Sequence, residues 1–276
     1  MILLDNNQLV IASLFHATKT DEGLTEDLVR HLVLNMYRYY KTKFSKYGDI
    51  IICSDGRHYW RKEMYEYYKA NRSKSQKKSS VDWDSFYKIM NTIYDEVVET
   101  FPYKTIRLEG CEADDVIAII CKHCHKHERI IIVSSDKDFQ QLQKYPNVKQ
   151  YSPTKKEFLT CDDPENFLIE HIIGGDVSDG IPNILSDDDV FVCDDKRQKP
   201  CGKKKIAKIK EELSNWTSTE NWDRNHLLID MDKIPEEIES RILDEYSKEP
   251  KGNRSGLLDY FIEHKLKNLM DCIEDF

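Results

Sequence analysis

Two aspartates follow an uninterrupted apolar run near the middle of the chain. The run is Ile130 to Val133, and Asp136 and Asp138 come shortly after it. A β-branched run without alternation is typical of a strand buried on both faces of a parallel sheet. In open α/β sheets the ligand crevice lies at the carboxyl ends of the strands, so both carboxylates should point into it.

The same arrangement, an apolar strand followed by an acid, occurs twice more. Met1 to Leu4 precedes Asp5, and Ile50 to Ser54 precedes Asp55. Neighbouring strands would place these carboxylates within a few ångströms of one another, which is unfavourable unless cations neutralise them. One Asp after a strand would indicate only a turn, but three such strands together predict a metal site.

Further acids occur at a helix start and in a glycine-flanked turn. Glu112, Asp114 and Asp115 open a predicted helix, where acids interact favourably with the helix dipole but are more numerous than capping requires. Glu112 and Asp115 share one face of that helix. Asp176 and Asp179 lie three residues apart; an EF-hand is excluded because its acid spacing and distal Glu are missing, and a simple turn remains open.

These acids predict metal-assisted hydrolysis. One set holds Asp5, Asp55, Asp114 and Asp136, another holds Asp138, Asp176 and Asp179, and Glu112 and Asp115 lie between them. Oxygen ligands without His or Cys select a hard ion such as Mg²⁺ or Mn²⁺. Two such ions roughly 4 Å apart would activate a water and stabilise both reacting oxygens of a phosphodiester. The segment Cys121 to His127 lacks a second pair at ligand spacing, so we expect no structural zinc.

Composition and charge limit the possible partners. The 276 residues suit one large domain or two modest ones. A net charge of -9 argues against nucleic acid, whose binding is driven by Lys and Arg, but the basic residues are concentrated in two patches. These are Lys69, Arg72, Lys74, Lys77 and Lys78, and the stretch from Lys196 to Lys210. No signal peptide or membrane-spanning run is evident, and the eight scattered cysteines suit a reducing compartment.

The elements that would position the acids form an α/β fold with a mostly parallel central sheet flanked by helices. Thr25 to Lys46 is a predicted helix between the first two strands, which predicts a parallel pair with a right-handed crossover. A helix from Asp82 to Phe101 precedes a strand from Lys104 to Leu108. We expect loops between Asp5 and Thr25 and an irregular stretch that ends near Pro153. Helices are predicted from Pro164 to Ile173 and from Lys203 onward.

Two segments favour contact with other molecules. Between Arg57 and Arg72 basic residues alternate with aromatic ones, which suits a single strand of nucleic acid or, equally, a solvated helix whose tyrosines pack inward. The following residues, Ser73 to Ser80, are predicted to be mobile. The amino end of the Lys203 helix could meet a phosphate. An apolar repeat at the carboxyl end, from Leu266 to Phe276, is either docked on the protein or a partner surface, and docking is the prediction.

Taken together, these motifs resemble the 5′ nucleases related to flap endonucleases and to the 5′ nuclease domains of bacterial DNA polymerases. The resemblance covers essentially the whole chain, and Lys144 to Gln150 and the carboxyl-terminal repeat are similar to the ribonuclease H subfamily of T-even bacteriophages. It implies a catalytic domain over residues 1–160 that includes a helical arch at about 56–80. Residues 161–276 would form a helical, helix-hairpin-helix-like DNA-binding region.

The resemblance also implies roles for single residues. The tighter metal would be surrounded by Asp5, Asp55, Glu112, Asp114 and Asp136, and the second held by Asp138, Asp176 and Asp179; Asp115 matches a further acid of the family motif. Arg61 and Tyr68 to Arg72 match the arch, where Lys69 and Arg72 would stabilise the scissile phosphate. Asp114 and Asp136 join them as implied catalytic residues. Lys203, Lys204 and Lys205 begin the helix that would grip duplex phosphates.

The implied function is that of a structure-specific 5′ nuclease using two Mg²⁺ ions, with Mn²⁺ as a substitute. It would act as a monomer on branched or nicked DNA and RNA–DNA hybrid, removing lagging-strand RNA primers in the cytoplasm of an infected bacterium. A single-stranded-DNA-binding protein is an implied partner. A sliding clamp is not, because the chain begins almost at its first strand, and a monovalent ion is not expected because Asn183 to Ser186 replaces the usual glycine-rich hairpin.

Two other functions share some of these features. A PIN-like ribonuclease has the same sheet and acid arrangement, but Tyr68 to Arg72 and the Asp176 to Asp179 element argue against it. A non-catalytic DNA-junction binder would have kept the fold and lost the chemistry. The presence of every expected acid argues against that second alternative.

Overall fold

A six-stranded sheet lies at the centre of the computed structural model, which describes residues 1–17, 25–72 and 81–276. The strands are β1 Ile2–Asp5, β2 Ile50–Cys53, β3 Lys104–Ile106, β4 Ile130–Val133, β5 Val148–Ser152 and β6 Glu157–Leu159. Their order in space is β3-β2-β1-β4-β5-β6, and only the β5–β6 pair is antiparallel. The mostly parallel sheet predicted from the sequence is therefore confirmed.

The three strands that carry acids lie side by side. Asp5 of β1 pairs with Cys53 of β2, and Leu4 pairs with Val133 of β4. Every residue of these strands is buried, as their unbroken β-branched runs predict. Because the strands are parallel and in this register, the residues that follow them emerge at one edge of the sheet.

Helices cover both faces of the sheet. Those before the fourth strand are α1 Asn6–Ala17, α2 Glu26–Lys43, α3 Trp60–Met64, α4 Trp83–Thr100 and α5 Ala113–Cys124. Those after it are α6 Pro164–Gly174, α7 Lys203–Glu211, α8 Glu220–Ile229, α9 Glu236–Tyr246, α10 Leu257–Glu263 and α11 Lys267–Met270, with a 3₁₀ helix over Lys137–Lys144. Helices α1, α2 and α4 pack on one face together with the carboxyl-terminal segment, whereas α5 and α9 pack on the other. A third apolar cluster joins α6, α7 and α8.

Helix caps predicted from the sequence are present. The Thr25 side chain accepts a hydrogen bond from the Leu28 N–H, and the Asp82 carboxylate accepts one from the Ser85 N–H. Each satisfies an amide that the first turn leaves free. The two helices run to within three residues of their predicted ends.

Two predicted loops are regular elements instead. Helix α1 begins directly after Asp5, whose carboxylate accepts from the Gln8 N–H at 3.3 Å and so acts as its cap. Strand β5 lies within the predicted irregular stretch, and β6 follows the end of that stretch. Gln150 in β5 is fully buried and donates to the carbonyl oxygens of Ser134 and Asp136. It thereby stabilises the turn after β4. Because Gln is polar, its presence obscured the strand pattern in the sequence.

The carboxyl-terminal repeat is docked, as predicted. Leu266, Leu269 and Phe276 are buried in the cluster formed with α1, α2 and α4. Trp222 is also buried, and Trp216 packs at the edge of the third cluster. Within the described part of the chain, every helix is too short or too polar to cross a membrane.

Candidate metal and nucleic-acid site

An open cleft of about 690 Å³ lies at the carboxyl ends of β1, β2 and β4. Its lining combines carboxylates, cations and aromatic rings: Asp5, Asp55, Asp114 and Asp136, then Lys62, Lys69 and Arg72, then Tyr59, Tyr68 and Tyr87. Parallel strands bring the acids to one edge, as expected for an α/β sheet. All four members of the first predicted acid set therefore lie in one cleft.

Asp5 illustrates the electrostatics of this cleft. Its carboxylate accepts from the Ser134 hydroxyl at 2.8 Å and is 5% exposed. Burial, together with the negative charges of Asp55 and Asp136, raises the pKa of Asp5 to about 7. The group is oriented by neutral donors and has too little positive charge around it.

For the other three acids of this set, burial outweighs the positive charge of nearby Lys69. Burial raises the pKa of Asp55, Asp114 and Asp136 above the usual aspartate range, and for Asp114 the charges of Asp5 and Asp136 add to the effect. Asp55 is positioned by the Ala113 N–H at 2.8 Å and Asp136 by the Asp138 N–H at 3.0 Å. Crowded oxygen donors with raised pKa values fit a hard divalent cation.

Asp115 and Arg61 form a buried pair beside the cleft. Arg61 is 4% exposed and donates to the Asp115 carboxylate at 2.7 Å and to the Leu228 carbonyl at 2.9 Å. The second oxygen of Asp115 accepts from the Trp60 indole and from the Glu112 N–H. Both oxygens of Asp115 accept hydrogen bonds and Arg61 is out of solvent, so the pair fixes the start of α5. The metal-binding role of Asp115 and the nucleic-acid contact of Arg61 stay predictions.

Glu112 is surrounded by protein donors. Lys69 donates to one of its oxygens, and Arg61 and the Tyr68 hydroxyl donate to the other at 3.0 and 2.9 Å. Although burial disfavours the charge, Lys69 and Arg61 hold the pKa of Glu112 below its usual range. Tyr68 also donates to Asp179 and is only 3% exposed, so it has an internal hydrogen-bonding role, and its contact with nucleic acid stays a prediction.

The segment that carries Lys69 and Arg72 is joined to the loop that carries Asp179. The Lys69 N–H donates to the Asp179 carbonyl at 2.8 Å, and the Arg72 guanidinium to the Asp179 carboxylate at 2.6 Å. Gly180 has φ +72°, and a Cβ there would lie 2.9 Å from the Tyr67 carbonyl oxygen. Only the first part of the predicted arch is described, as α3 and the turns after it; Ser73 to Ser80, with Lys74, Lys77 and Lys78, lie outside the described residues.

The second acid set contains a histidine that the sequence did not suggest. Within the described residues, one group of potential metal ligands has ligand atoms all within 4.8 Å of one another: Asp138, His171 and Asp176. Burial opposes the charge of Asp176, but hydrogen bonds from His171, Ser178 and Lys137 lower its pKa. Asp179, the third predicted member of this set, is instead paired with Arg72.

Three amide residues at the start of α1 were also missed. The Asn6 amide donates to the Ser54 hydroxyl at 2.9 Å, Asn7 accepts from the Asp55 N–H at 3.2 Å, and Gln8 accepts from the Ser135 N–H at 2.6 Å. They tie the ends of β1, β2 and β4 together. Their signal in the sequence is their position directly after the first acid.

The predicted duplex contacts lie elsewhere. Lys203, Lys204 and Lys205 are exposed at the start of α7, which packs on α6 through its apolar face. They are absent from the lining of the acidic cleft among the residues described. The structure thus separates a basic helix start from the acids and places Lys69 and Arg72 among them.

Comparison with known proteins agrees with this architecture. Residues 1–169 match the family model described as 5′-3′ exonuclease, N-terminal resolvase-like domain, and residues 163–276 match T4 RNase H, C terminal. Ribonuclease H of Enterobacteria phage T4 is 31% identical over 99% of this chain and 95% of its own length. A 5′-3′ exonuclease of Buchnera aphidicola is 31% identical over 49% of this chain and 47% of its own.

Solved structures show the same fold. The bacteriophage T5 D15 protein co-crystallised with metal ions has a TM-score of 0.63 at 19% identity, covering 88% of this chain and 98% of that one. The T5 D15 flap endonuclease in complex with DNA and metal ions has a TM-score of 0.64 at 18% identity, covering 90% and 99%. The resemblance predicted from the sequence is confirmed, and the chain belongs to the 5′-3′ exonuclease family, with a carboxyl-terminal region of the T4 RNase H type.

Proposed function

We propose that this protein is a divalent-metal-dependent 5′ nuclease that hydrolyses RNA–DNA hybrid and duplex DNA in the 5′ to 3′ direction and cuts 5′ flaps. The observation that carries the proposal is the group of four carboxylates with raised pKa values at the ends of three parallel strands, in a cleft that also contains Lys69 and Arg72. Family membership supports it.

The residues present fit a divalent cation. Asp5, Asp55, Asp114 and Asp136, with Glu112, would hold one Mg²⁺, and Asp138, Asp176 and Asp179 are the proposed ligands of a second, with Mn²⁺ able to substitute. Such ions supply a nucleophile at neutral pH and charge stabilisation for the phosphodiester. The neutral donors on Asp5, Asp55 and Asp136 keep the carboxylates oriented before the metal arrives.

Lys69 and Arg72 are proposed to bind the scissile phosphate. The Lys69 ammonium is 13% exposed and contacts Glu112, whereas Arg72 is about half exposed and contacts Asp179. Positive groups fixed in a partly buried site stabilise charge that develops on phosphate oxygens without reorganisation. The rings of Tyr59 and Tyr87 in the same cleft offer surfaces for an unpaired base.

The basic start of α7 is proposed to hold the duplex. Lys203, Lys204 and Lys205 are exposed, and the free N–H groups of a helix start favour phosphate. We propose that residues 1–160 form the catalytic domain and that residues 161–276 form the DNA-binding region, which also contributes Asp176 and Asp179 to the second metal position. Changing the three lysines to Gln should weaken duplex binding uniformly across sequences and reduce the salt dependence by about one counterion per lysine.

The biological setting is proposed from the same family membership. The protein would remove RNA primers from lagging-strand fragments during phage DNA replication, as a monomer in the cytoplasm of the infected bacterium. A single-stranded-DNA-binding protein is a proposed partner, for which Leu258 and Ile262 of α10 remain exposed. We propose no contact with a sliding clamp.

Cleavage of a 5′-labelled flap and of an RNA-primed duplex tests the function. Wild type and Asp136→Asn are compared in Mg²⁺ and in EDTA, with Asp271→Asn, an exposed acid outside the cleft, as matched control. Short products that require metal, persist in the control and vanish in Asp136→Asn are expected. Binding of the flap without cleavage in Mg²⁺ or Mn²⁺ would support a junction-binding protein and refute the nuclease.

A further inference from the structure

His171 lies between two acids and is almost completely buried. It is 7% exposed on α6, and its Nε2 lies 3.1 Å from Oδ2 of Asp176. Its other nitrogen, Nδ1, faces Oδ1 of Asp138 at 3.5 Å. The first contact is a hydrogen bond, whereas the second is longer than such bonds normally are.

The two facing atoms share an unusual condition. Nδ1 of His171 and Oδ1 of Asp138 are both buried side-chain atoms without a hydrogen-bond partner among the described residues. Leaving a polar atom buried and unpaired is unfavourable by about 1–3 kcal/mol, and most buried polar atoms avoid it. Two such atoms that face each other indicate that they share a proton or a bound ion.

The separation suits a shared metal ion. Ligand atoms each about 2.1 Å from one ion and at a tetrahedral angle are about 3.4 Å apart. A proton could also join the atoms, but a hydrogen bond would bring them closer than the observed 3.5 Å. The distance therefore favours an ion.

The hydrogen bond on the far side of the ring supports this reading. Histidines that bind metals usually donate their other ring N–H to a carboxylate, which selects the tautomer and orients the ring. Asp176 has that position here and is itself held by the Lys137 ammonium at 2.9 Å and the Ser178 N–H at 2.7 Å. With the proton on Nε2, the lone pair of Nδ1 points toward Asp138.

We propose that Asp138 and His171 are direct ligands of the second divalent metal and that Asp176, assigned above as a ligand of that metal, instead orients the histidine. The ligand set then contains nitrogen as well as oxygen, unlike the all-carboxylate set expected from the sequence. Imidazole and a tetrahedral spacing favour ions such as Zn²⁺ or Fe²⁺ over Mg²⁺, so this position should prefer them, and Mn²⁺ serves as a paramagnetic probe of the same ligands. The inference rests on the proposed nuclease only for the role of the ion, since the ligands are assigned by geometry.

Pulsed electron paramagnetic resonance of the full-length protein loaded with Mn²⁺ tests the ligand directly. A directly coordinated ¹⁴N is expected in the wild type and absent in His171→Asn. Calorimetry should show at least about tenfold weaker Mn²⁺ binding at one site of the variant, with a smaller change for Mg²⁺. His226→Asn is the matched control, because His226 also donates to an acid, Asp230 at 3.1 Å, and faces no second carboxylate in the described contacts.

The outcomes separate this inference from the proposed function. No nitrogen coupling in the wild type, or coupling that persists in His171→Asn, overturns the ligand assignment, and the wild-type spectrum decides even if the variant does not fold. Flap cleavage in Mg²⁺ by a wild type without nitrogen coupling would support the nuclease and refute the histidine ligand. Nitrogen coupling without any cleavage would support the histidine ligand and refute the nuclease.

Discussion

Two groups of carboxylates meet in this protein and differ in what neutralises them. Asp5, Asp55, Asp114 and Asp136 have raised pKa values and are oriented mainly by neutral donors. Glu112 and Asp176 have lowered pKa values, because Lys69 and Arg61 surround the first and His171 and Lys137 contact the second. The protein supplies its own cations to one group and leaves the other short of them.

The two groups of acids therefore have different roles, one in stability and one in binding an external cation. Acids paired with protein cations can remain charged in the metal-free fold, and breaking such buried pairs is destabilising. Crowded, buried acids whose charge nearby cations only partly offset reduce the stability of the metal-free protein, a cost that is usually found at functional sites. The uncompensated group is therefore the part of the molecule that an external cation should stabilise most.

The largest effect is expected from Asp114→Asn. The amide keeps the side-chain size and removes one negative charge from the uncompensated group, so cleavage should fall by a factor on the order of 10²–10³. The metal-free variant should also melt higher, by about 2–4 °C for ~1 kcal/mol. Flap cleavage and thermal unfolding in EDTA measure the two effects, and a lower melting temperature would contradict the comparison.

Lys69→Met should change stability in the opposite direction. Glu112 is 1% exposed and would lose one of its two cations, while Arg61 and Tyr68 remain. We expect a loss of about 2–3 kcal/mol, less than for a buried charge left with no partner. Urea unfolding measures it, with Lys62→Met as control, since Lys62 is an exposed residue of the same cleft. Equal stability of both variants would refute the pairing argument.

The pH dependence of the metal-free protein should reveal the uncompensated group. The pKa of Asp5 is raised from 3.8 to about 7, so between those values the folded state keeps a proton that the unfolded state releases. The contribution of Asp5 to stability therefore falls as pH rises through this window and is constant above it. The lowered pKa of Glu112 acts in the opposite sense, since its stabilisation is lost only as pH falls below the ordinary glutamate value.

Metal should reverse this trend, because ligands must lose their protons to bind it. The rise in melting temperature on adding Mg²⁺ should be larger at pH 8 than at pH 6. Scans at both values for wild type and Asp5→Asn measure this, and the variant should show a smaller difference. An Mg²⁺ effect independent of pH would argue against ligation by this group.

The smallest effect on stability is expected from Arg72→Gln. Arg72 is 51% exposed and its partner Asp179 is 16% exposed, so solvent screens the pair. Such pairs contribute at most about 1 kcal/mol, well below the Lys69 effect. Chemical denaturation should therefore show little change, while cleavage falls because a phosphate contact is lost. A stability loss as large as that of Lys69→Met would show that the Arg72–Asp179 pair stabilises the fold as strongly as a buried ion pair does.

The parts of the fold that depend on local pattern were predictable. The β-branched runs of β1, β2 and β4 mark strands buried on both faces, and Thr25 and Asp82 mark helix starts. Helix α1 was not found, because the polar residues after Asp5 are typical of a turn. Strand β5 was obscured because Gln150 and Ser152 are buried through hydrogen bonds that only the folded chain provides.

The site was predictable only as far as its acids. Parallel strands bring their ends together, so the acids after β1, β2 and β4 could be grouped from the sequence. Whether an acid is compensated depends on contacts far along the chain, such as that of Lys69 with Glu112 or of Lys137 with Asp176. The sequence contains no local signal for such contacts, so Asp115 was predicted as a metal ligand and Arg61 and Tyr68 as nucleic-acid contacts without their internal partners.

The joined backbones of residues 67–71 and 177–180 have a further consequence. Lys69 N–H and the Asn71 amide bond to carbonyls of Asp179 and Val177, and Gly180 leaves no room between the two segments. If Lys69 binds the scissile phosphate as proposed, this joint would fix its position relative to the loop that carries Asp179. Side-chain changes that slow the reaction should therefore leave the cut at the same nucleotide, and only an altered joint should move it.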